Sequence, residues 1–206
     1  MTTDHIVRDL ASLESLYGEV GEASILKEIE YLHPHYAAFV KASPFAVLAT
    51  VGPDGLDASP RGDPPGFIEV VDEKTLLVAD RRGNNRIDSL RNILGDPHVA
   101  LLFLVPGIGE TLRVNGRAEI SVDPELLARF RIGSKAPRSV LVVHIDKVFF
   151  QCSRALIRSE LWNADRHLPR SALPSTGQML QAVTHDRIDA QTYDRELPPR
   201  LKATLY

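Results

Sequence analysis

The chain has 206 residues, of which 44% are hydrophobic and 25% are charged, and its formal net charge is −3. This composition is typical of a globular domain with extensions, and it argues against general nucleic-acid binding, which usually requires a basic face. The single cysteine, Cys152, excludes an intrachain disulfide and a cysteine-based zinc cluster. The longest strongly apolar run, residues 99–105, is too short for a membrane helix, and the N-terminus lacks a signal-peptide pattern. We therefore expect a cytoplasmic protein that does not bind membranes.

Residues 1–43 are predicted to form a helical N-terminal extension. Ser24 is a suitable N-cap for a helix over residues 24–32, because apolar side chains recur there at helical spacing. A second helix is predicted to begin at Pro34, since proline suits the first helical turn, and to end near residue 42.

Residues 44–150 are predicted to form a β-barrel core. Six runs have the composition or alternation of strands: 45–51, 66–71, 74–79, 98–105, 111–122 and 139–150. In the fifth run, Leu112 and Val114 share one face while Arg113 and Asn115 share the other. Helices are predicted at residues 86–94 and 124–130. Strands joined by hairpins, with few helices between them, favour an antiparallel barrel over a parallel α/β sheet.

Residues 151–206 are predicted to form a tail of helices and proline-rich loops, with helices at 153–161 and 176–183. Such a segment is too short to be stable alone. We expect it to pack on the barrel or on a partner subunit.

The strongest candidate for chemistry is the basic segment 81–86, where a strand gives way to a helix. Asn84 or Asn85 is a suitable N-cap, and Arg86 would then project from the first helical turn. The free N–H groups of that turn attract phosphate, and arginine can bind phosphate oxygens through two hydrogen bonds. The alternative is a solvated basic loop, because runs of charge are common on protein surfaces.

A second candidate follows the turn at residues 52–55 and comprises Ser59, Pro60, Arg61, Gly62 and Asp63. A glycine at this place would let a flat ligand approach the backbone closely. Arg113 and Arg117 lie on the polar face of their predicted strand, where exposure to solvent is the simpler interpretation.

Other motifs point to no site. His33 and His35 flank a predicted helix start and have no further ligand at a familiar metal-binding spacing, so no metal site is expected. No glycine-rich loop for a nucleoside triphosphate and no nucleophile elbow occur. Cys152 is either a reactive thiol or a packed small hydrophobic residue, and the second is the more common case for a lone cysteine beside Phe149 and Phe150.

Six segments, in this order, resemble the FMN-binding split-barrel proteins of the pyridoxamine 5′-phosphate oxidase-like family. They are SPFAVLAT (43–50), DASPRGD (57–63), GNNRIDSL (83–90), LLFLVPG (101–107), TLRVNGRA (111–118) and QCSRALIRSELW (151–162). The resemblance covers residues from about 40 to 162 and is carried by the order of the six segments.

The resemblance implies a mainly β, α+β fold: a six-stranded antiparallel Greek-key split β-barrel with flanking helices. It also implies a homodimer with FMN at the subunit interface. Arg61 and Arg86 match the residues that hold the FMN phosphate, although the oxidase has a lysine at the second position. The cofactor-binding residues expected from the resemblance and the patterns above are Ser59, Pro60, Arg61, Gly62, Asp63, Asn84, Asn85, Arg86, Thr111, Arg113, Arg158, Ser159 and Trp162.

One departure affects the expected activity. In the true oxidase an Arg-Leu-His-Asp-Arg signature follows the tryptophan and binds the substrate, whereas residues 163–170 here read NADRHLPR. We therefore expect an FMN-dependent oxidoreductase acting on another small molecule or on a reduced nicotinamide. The alternative is a non-catalytic flavin or tetrapyrrole binder or sensor, in which His98 or His144 would have to supply a haem ligand.

Overall fold

The computed structural model describes residues 5–206 of the chain. The strands within this range are β1 (Phe45–Gly52), β2 (Gly55–Gly62), β3 (Ile68–Val70), β4 (Thr75–Asp80), β5 (His98–Leu104), β6 (Thr111–Ser121) and β7 (Ser139–Gln151). The α-helices are α1 (Leu10–Glu14), α2 (Glu22–Leu26), α3 (Pro34–Ala42), α4 (Asp88–Gly95), α5 (Pro124–Arg129), α6 (Arg154–Ser159), α7 (Thr176–Val183) and α8 (Ala190–Ala203).

The strands form one antiparallel sheet in the order β2-β1-β5-β6-β7-β4-β3. The predicted class, a mainly β antiparallel split barrel with flanking helices, is confirmed. The predicted strand count was wrong, because β2 adds a seventh strand to the six runs found in the sequence. β2 has few apolar residues and contains Pro60, which is tolerated because β2 lies at the edge of the sheet.

The core lies on the inner face of this sheet. Leu48, Leu101 and Val114 lie side by side on β1, β5 and β6, and each is almost fully buried. Helices α3 and α4 contact the sheet through residues such as Val40 and Ile93. Burial of these side chains is the main stabilising contribution to such a fold.

The opposite side of β2, β1 and β5 forms an apolar surface, which we call the outer face. The register aligns Pro60, Val47 and Leu102 in one row, which continues to Arg113 on β6 and Phe149 on β7. Other outer-face side chains on these strands are Leu56, Ala58, Phe45, Ala49, Val51, Ala100 and Leu104. These residues are half-buried or exposed, so the described chain leaves the outer face open to solvent.

The helix predicted over residues 24–32 was wrong. Helix α2 ends at Leu26, and Ile29 instead forms an antiparallel bridge with Val148 on β7. The Ile29 N–H donates to the Val148 carbonyl at 3.0 Å, and the Val148 N–H donates to the Ile29 carbonyl at 2.7 Å. The helical periodicity of the sequence does not decide the structure here, because this bridge gives the backbone N–H and C=O groups of Ile29 and Val148 hydrogen-bond partners.

The start of α4 also differs from the prediction. Its N-cap is Ile87, which has the left-handed φ of 54°, and neither Asn84 nor Asn85 caps the helix. Arg86 therefore lies in the connection before α4 and does not project from its first turn.

The tail from residue 163 onward forms a helical hairpin of α7 and α8. Asp194 on α8 accepts a hydrogen bond from the Gly177 N–H at 2.7 Å and another from the Ser175 hydroxyl, which fixes α8 to the start of α7. Helix α8 was not predicted, because Pro198 and Pro199 lie inside it and proline normally interrupts a helix. The predicted helix at 176–183 is confirmed by α7. None of the helices formed by residues 5–206 is both long and apolar enough to cross a membrane.

Candidate functional site

A cavity of about 400 Å³ lies where three chain segments converge. They are β2 over residues 57–62, the connection from β4 into α4 over residues 79–90, and the start of β7 at Arg138 and Ser139. The sheet brings β4 and β7 together, since Asp80 lies opposite Ser139 in the register. Seven residues expected from the sequence line this cavity: Ser59, Pro60, Arg61, Gly62, Asn84, Asn85 and Arg86.

Arg61 is held in place by a chain of hydrogen bonds that joins β2 to α4. Its guanidinium Nη1 donates to the Ser59 hydroxyl and to the Pro60 carbonyl, each at 2.9 Å. The Ser59 hydroxyl lies 2.9 Å from the hydroxyl of Ser89, which in turn donates to Asp57 at 3.2 Å. Because Ser89 is buried in the first turn of α4, this chain limits the rotamers open to Arg61.

Positive charge exceeds negative charge around the cavity. Five arginines and three aspartates line it, namely Arg61, Arg81, Arg82, Arg86, Arg138, Asp57, Asp80 and Asp88. Burial lowers the pKa of Arg61, although the carboxylates of Asp80 and Asp57 counteract this effect. Burial raises the pKa of Asp80, and the nearby cations Arg61 and Arg138 oppose the rise. A desolvated cation beside a carboxyl group that resists ionisation is a favourable arrangement for binding an anion.

Two polar atoms of the cavity lining are enclosed without a hydrogen-bond partner. They are Nε of Arg61 and the hydroxyl oxygen of Ser139. Leaving a buried polar group without a partner costs about 1–3 kcal/mol, and more for a charged group. A phosphate group carries several acceptor oxygens, the kind of partner that these two donors lack. The residues present therefore fit the phosphate of FMN.

The connection between β4 and α4 has an unusual backbone. Asn85 and Ile87 both have left-handed φ values, 61° and 54°, on either side of Arg86. Asparagine tolerates this conformation, but for a β-branched isoleucine it is a true outlier. Such strain concentrates at binding and catalytic sites. Arg138 braces the connection by donating from Nη1 to the Asn85 side-chain oxygen at 2.8 Å.

Arg86 is less well placed than Arg61. Its side chain is exposed, and its Nε donates to Asp88 at 2.7 Å, which raises the pKa of Arg86. To contact a ligand in the cavity, Arg86 would have to give up part of this exposed ion pair. Pairs of this kind contribute little stability, so the cost is small.

Asp63 does not line the cavity but fixes one of its walls. Its buried carboxylate accepts from Arg81 Nε and from the Tyr206 hydroxyl, each at 2.8 Å. Arg81 also donates to the Phe130 carbonyl at 2.7 Å, and its guanidinium lies 5.7 Å from the Tyr206 ring. The hydrogen bond to Asp63 raises the pKa of Tyr206. These contacts hold Arg81 in a fixed position beside the cavity.

Five expected residues lie elsewhere. Thr111 is buried and bonds the Gln151 side chain at 3.3 Å, and the Arg113 guanidinium lies 4.0 Å from the Phe149 ring centroid. Arg158 and Ser159 are exposed on α6. Trp162 borders a second, shallow concavity of about 420 Å³, and its indole N–H donates to the Ile108 carbonyl at 2.8 Å. A single chain does not bring these five residues to the Arg61 cavity.

Sequence reasoning missed several residues of the cavity, notably Asp57, Asp80, Ser89, Arg138 and Ser139. Two of them left a signal that could have been used. Asp80 ends an otherwise apolar buried strand, and Ser89 precedes Ile93 by four positions on the buried face of α4. A small polar residue on a buried face requires a polar partner.

The two histidines considered as haem ligands are outside the cavity lining. His98 is exposed and its ring nitrogen lies 2.6 Å from Asp96, while His144 is also exposed, near the middle of β7. Neither arrangement forms an axial ligand directed into an apolar pocket.

Several solved structures are similar to part of this chain, each with a TM-score below 0.5. HupZ of Group A Streptococcus is 22% identical with a TM-score of 0.45, and the match covers 56% of this chain and 90% of HupZ. General stress protein 26 of Bacillus anthracis is 21% identical with a TM-score of 0.42, and the match covers 55% of this chain and 88% of that protein.

A third structure, from Clostridium acetobutylicum, is a protein related to general stress protein 26 and assigned to the pyridoxinephosphate oxidase family. It is 12% identical with a TM-score of 0.45, and the match covers 57% of this chain and 86% of that protein. No curated protein sequence matches the chain. The family model for pyridoxamine 5′-phosphate oxidase, however, matches residues 32–152, more than half of the chain. The chain therefore belongs to the pyridoxamine 5′-phosphate oxidase family, a split-barrel family that commonly binds flavin.

Proposed function

We propose that the protein binds FMN, with the phosphate in the Arg61 cavity, and acts as an FMN-dependent oxidoreductase. The observation that carries the proposal is a cavity in which arginines outnumber aspartates and which is lined by Arg61, whose Nε has no hydrogen-bond partner. A phosphomonoester carries about −1.5 to −2 charges near neutral pH, which this cavity complements. Riboflavin lacks that group, so the cavity would also select FMN over riboflavin.

We extend the proposal to the remaining contacts of FMN, which involve β2. Ser59 and Arg61 would hold the phosphate, assisted by Ser139 and by Arg86 once it separates from Asp88. The backbone of residues 60–63 would lie beside the ring system, because Gly62 has no side chain there. When bound, FMN supplies reversible electron transfer, and the protein supplies binding, orientation and electrostatics.

The proposal includes a homodimer formed through the outer face. A contiguous apolar surface often marks an interaction site, and the outer face includes β2, the strand that carries Arg61. Thr111, Arg113, Arg158, Ser159 and Trp162 do not reach the Arg61 cavity of their own chain. They remain candidates to approach FMN bound to the partner. The substrate would be a small molecule or a reduced nicotinamide.

The proposal is tested by titrating the purified protein with FMN and with riboflavin. We expect FMN to bind more tightly. Arg61→Ala should weaken FMN by about 1.5–3 kcal/mol, roughly ten- to 150-fold, and leave riboflavin unchanged. Arg91→Ala is the matched control, because Arg91 is exposed on α4 and does not line the cavity. Equal affinity for the two flavins would contradict the phosphate site. Bleaching of the flavin absorbance by NADH or NADPH tests the redox activity separately.

A further inference from the structure

Residues 5–26 form a segment, here called the arm, that lies away from the barrel. Every residue of the arm is exposed. Within residues 5–206, the hydrogen bonds of these residues stay within the arm or reach residues 27 and 28. Among the described residues, none of the charged side chains of the arm forms a salt bridge.

The arm is nevertheless locally ordered and strongly apolar. Asp9 caps α1 by accepting from the Ser12 N–H and from the Ser12 hydroxyl, each at 2.8 Å, and these bonds lower the pKa of Asp9. Nine large apolar side chains are exposed along the arm: Ile6, Val7, Leu10, Leu13, Leu16, Tyr17, Val20, Ile25 and Leu26. Helices of five residues are not stable alone in water, so their order depends on packing against another surface.

The arm leaves the barrel at a firmly anchored point beside the outer face. Ile29 is bridged to Val148, and Glu28 accepts from Lys147 at 2.8 Å. The Lys27 ammonium lies 4.9 Å from the Phe150 ring centroid and 5.8 Å from that of Phe149. Phe149 belongs to the outer-face row, so the base of the arm adjoins the proposed dimer interface.

The surface area of the chain is too large for a compact monomer. A globular monomer of 22.8 kDa exposes roughly 9,600 Å² by the usual scaling of surface with mass. This chain exposes 14149 Å², an excess of about 4,500 Å² over that scaling. Obligate dimers bury roughly 1,000–2,500 Å² from each subunit. The excess is therefore large enough to supply an extensive contact with a second copy.

We propose that the arm packs on the outer face of a second copy of this chain, so that the two subunits exchange arms. This rests on the homodimer of the proposed function. In a dimer with a two-fold axis, the arm of each subunit contacts the outer face of the other. The arm and the outer face of both chains are then covered. The charges agree with this docking: acidic side chains exceed basic ones by three within the arm, and the outer-face row contains the cation Arg113.

The experiment places the photo-crosslinking amino acid benzoylphenylalanine at Tyr17 of the full-length protein. Tyr17 is 72% exposed and aromatic, so the replacement is mild. Isotopically heavy and light chains are refolded together, irradiated, digested and analysed by mass spectrometry. The same replacement at Leu94, which is exposed on α4 away from the outer face, is the control.

We expect Tyr17 crosslinks to join a heavy peptide to a light one and to fall within residues 45–62 or 98–104. Crosslinks found only within one isotopic chain would overturn the proposal. So would a dimer by light scattering in which Tyr17 gives no crosslink, or Leu94 gives the same crosslinks. A monomer by light scattering would overturn both the arm exchange and the homodimer. Flavin absorbance of the same samples reports on the FMN proposal independently, because the arm does not line the Arg61 cavity.

Discussion

The hydroxyl groups of Ser59 and Ser89 lie 2.9 Å apart and join the edge strand β2 to the first turn of α4. Through this contact Ser89, which is not proposed to bind the phosphate, restrains Arg61, which is. An arginine already fixed in its binding rotamer loses less side-chain entropy when a ligand arrives.

Ser89→Ala is therefore expected to weaken FMN although Ser89 need not contact it. The loss should be about 1 kcal/mol, the usual contribution of one hydrogen bond, or roughly fivefold. In an Arg61→Ala background the same change should have no further effect, and calorimetric titration of the two single variants and the double variant measures this. Ser134→Ala, at an exposed serine outside the cavity, is the control. Additive losses would show that Ser89 acts independently of Arg61.

Arg86→Ala should weaken FMN less than Arg61→Ala does. Arg86 is exposed and paired with Asp88, so it gains less from a phosphate than the desolvated Arg61. Asp88→Ala frees Arg86 and should tighten FMN slightly, most clearly at low ionic strength. FMN titrations of both variants at low and high salt measure these effects. A larger loss for Arg86→Ala than for Arg61→Ala would refute this order.

Asp80 should make FMN binding depend on pH. Its carboxyl group lies in the cavity and burial raises its pKa, so ionised Asp80 opposes a bound phosphate. Asp80→Asn is expected to tighten FMN at neutral pH. As the pH falls through the raised pKa, Asp80 gains a proton in the native protein, and the advantage of the variant should disappear. The phosphate of FMN also titrates, but this affects its binding to the native protein and to Asp80→Asn equally. It therefore cancels in the ratio of the two FMN dissociation constants, which is the quantity to measure.

The same residue gives a prediction for stability. A carboxyl group with a raised pKa binds its proton more tightly in the folded state, so its contribution to stability is lost as the pH rises through that pKa. Relative to the native protein, Asp80→Asn should therefore gain stability as the pH rises above the ordinary value of 3.8. Urea unfolding at several pH values measures the difference. A pH-independent difference would contradict it.

Ile87→Gly should stabilise the protein, in contrast to most isoleucine-to-glycine changes. A left-handed conformation costs a side chain with a Cβ about 1–2 kcal/mol, and Ile87 is about half exposed, so little apolar burial is lost. After the entropic cost of glycine, we expect a net gain of about 0.5 kcal/mol in the free energy of unfolding. Ile132→Gly, at an exposed isoleucine without positive φ, should instead destabilise. Equal destabilisation by both changes would mean that Ile87 is not strained.

The protein is not expected to oxidise pyridoxamine phosphate at a useful rate. Arg166 and His167, which superficially resemble the substrate-binding signature, lie in a short 3-10 turn, where Arg166 pairs with Glu160 at 2.7 Å. Misplaced substrate contacts cost on the order of a hundredfold in rate. Peroxide release from FMN-loaded protein given pyridoxamine phosphate measures the activity, with flavin-free protein as the control. Turnover near one per second, an ordinary enzyme rate, would contradict the prediction.

The strands of the core, and Arg61 as a candidate ligand, could be predicted from the sequence alone. Strands such as β6 were predictable because alternation of apolar and polar side chains is a local property of the chain. The family resemblance was found in the sequence between about residues 40 and 162, and the family model matches residues 32–152.

The surroundings of Arg61 depend on tertiary contacts between segments that are distant in the sequence. Ser89 lies 30 positions from Ser59 and Asp80 lies opposite Ser139, so no local pattern could place them in one cavity. The bridge of Ile29 to Val148 has the same origin. There, contacts between distant segments outweigh the local helical preference, since propensities amount to less than about 1 kcal/mol per residue and buried tertiary contacts contribute more.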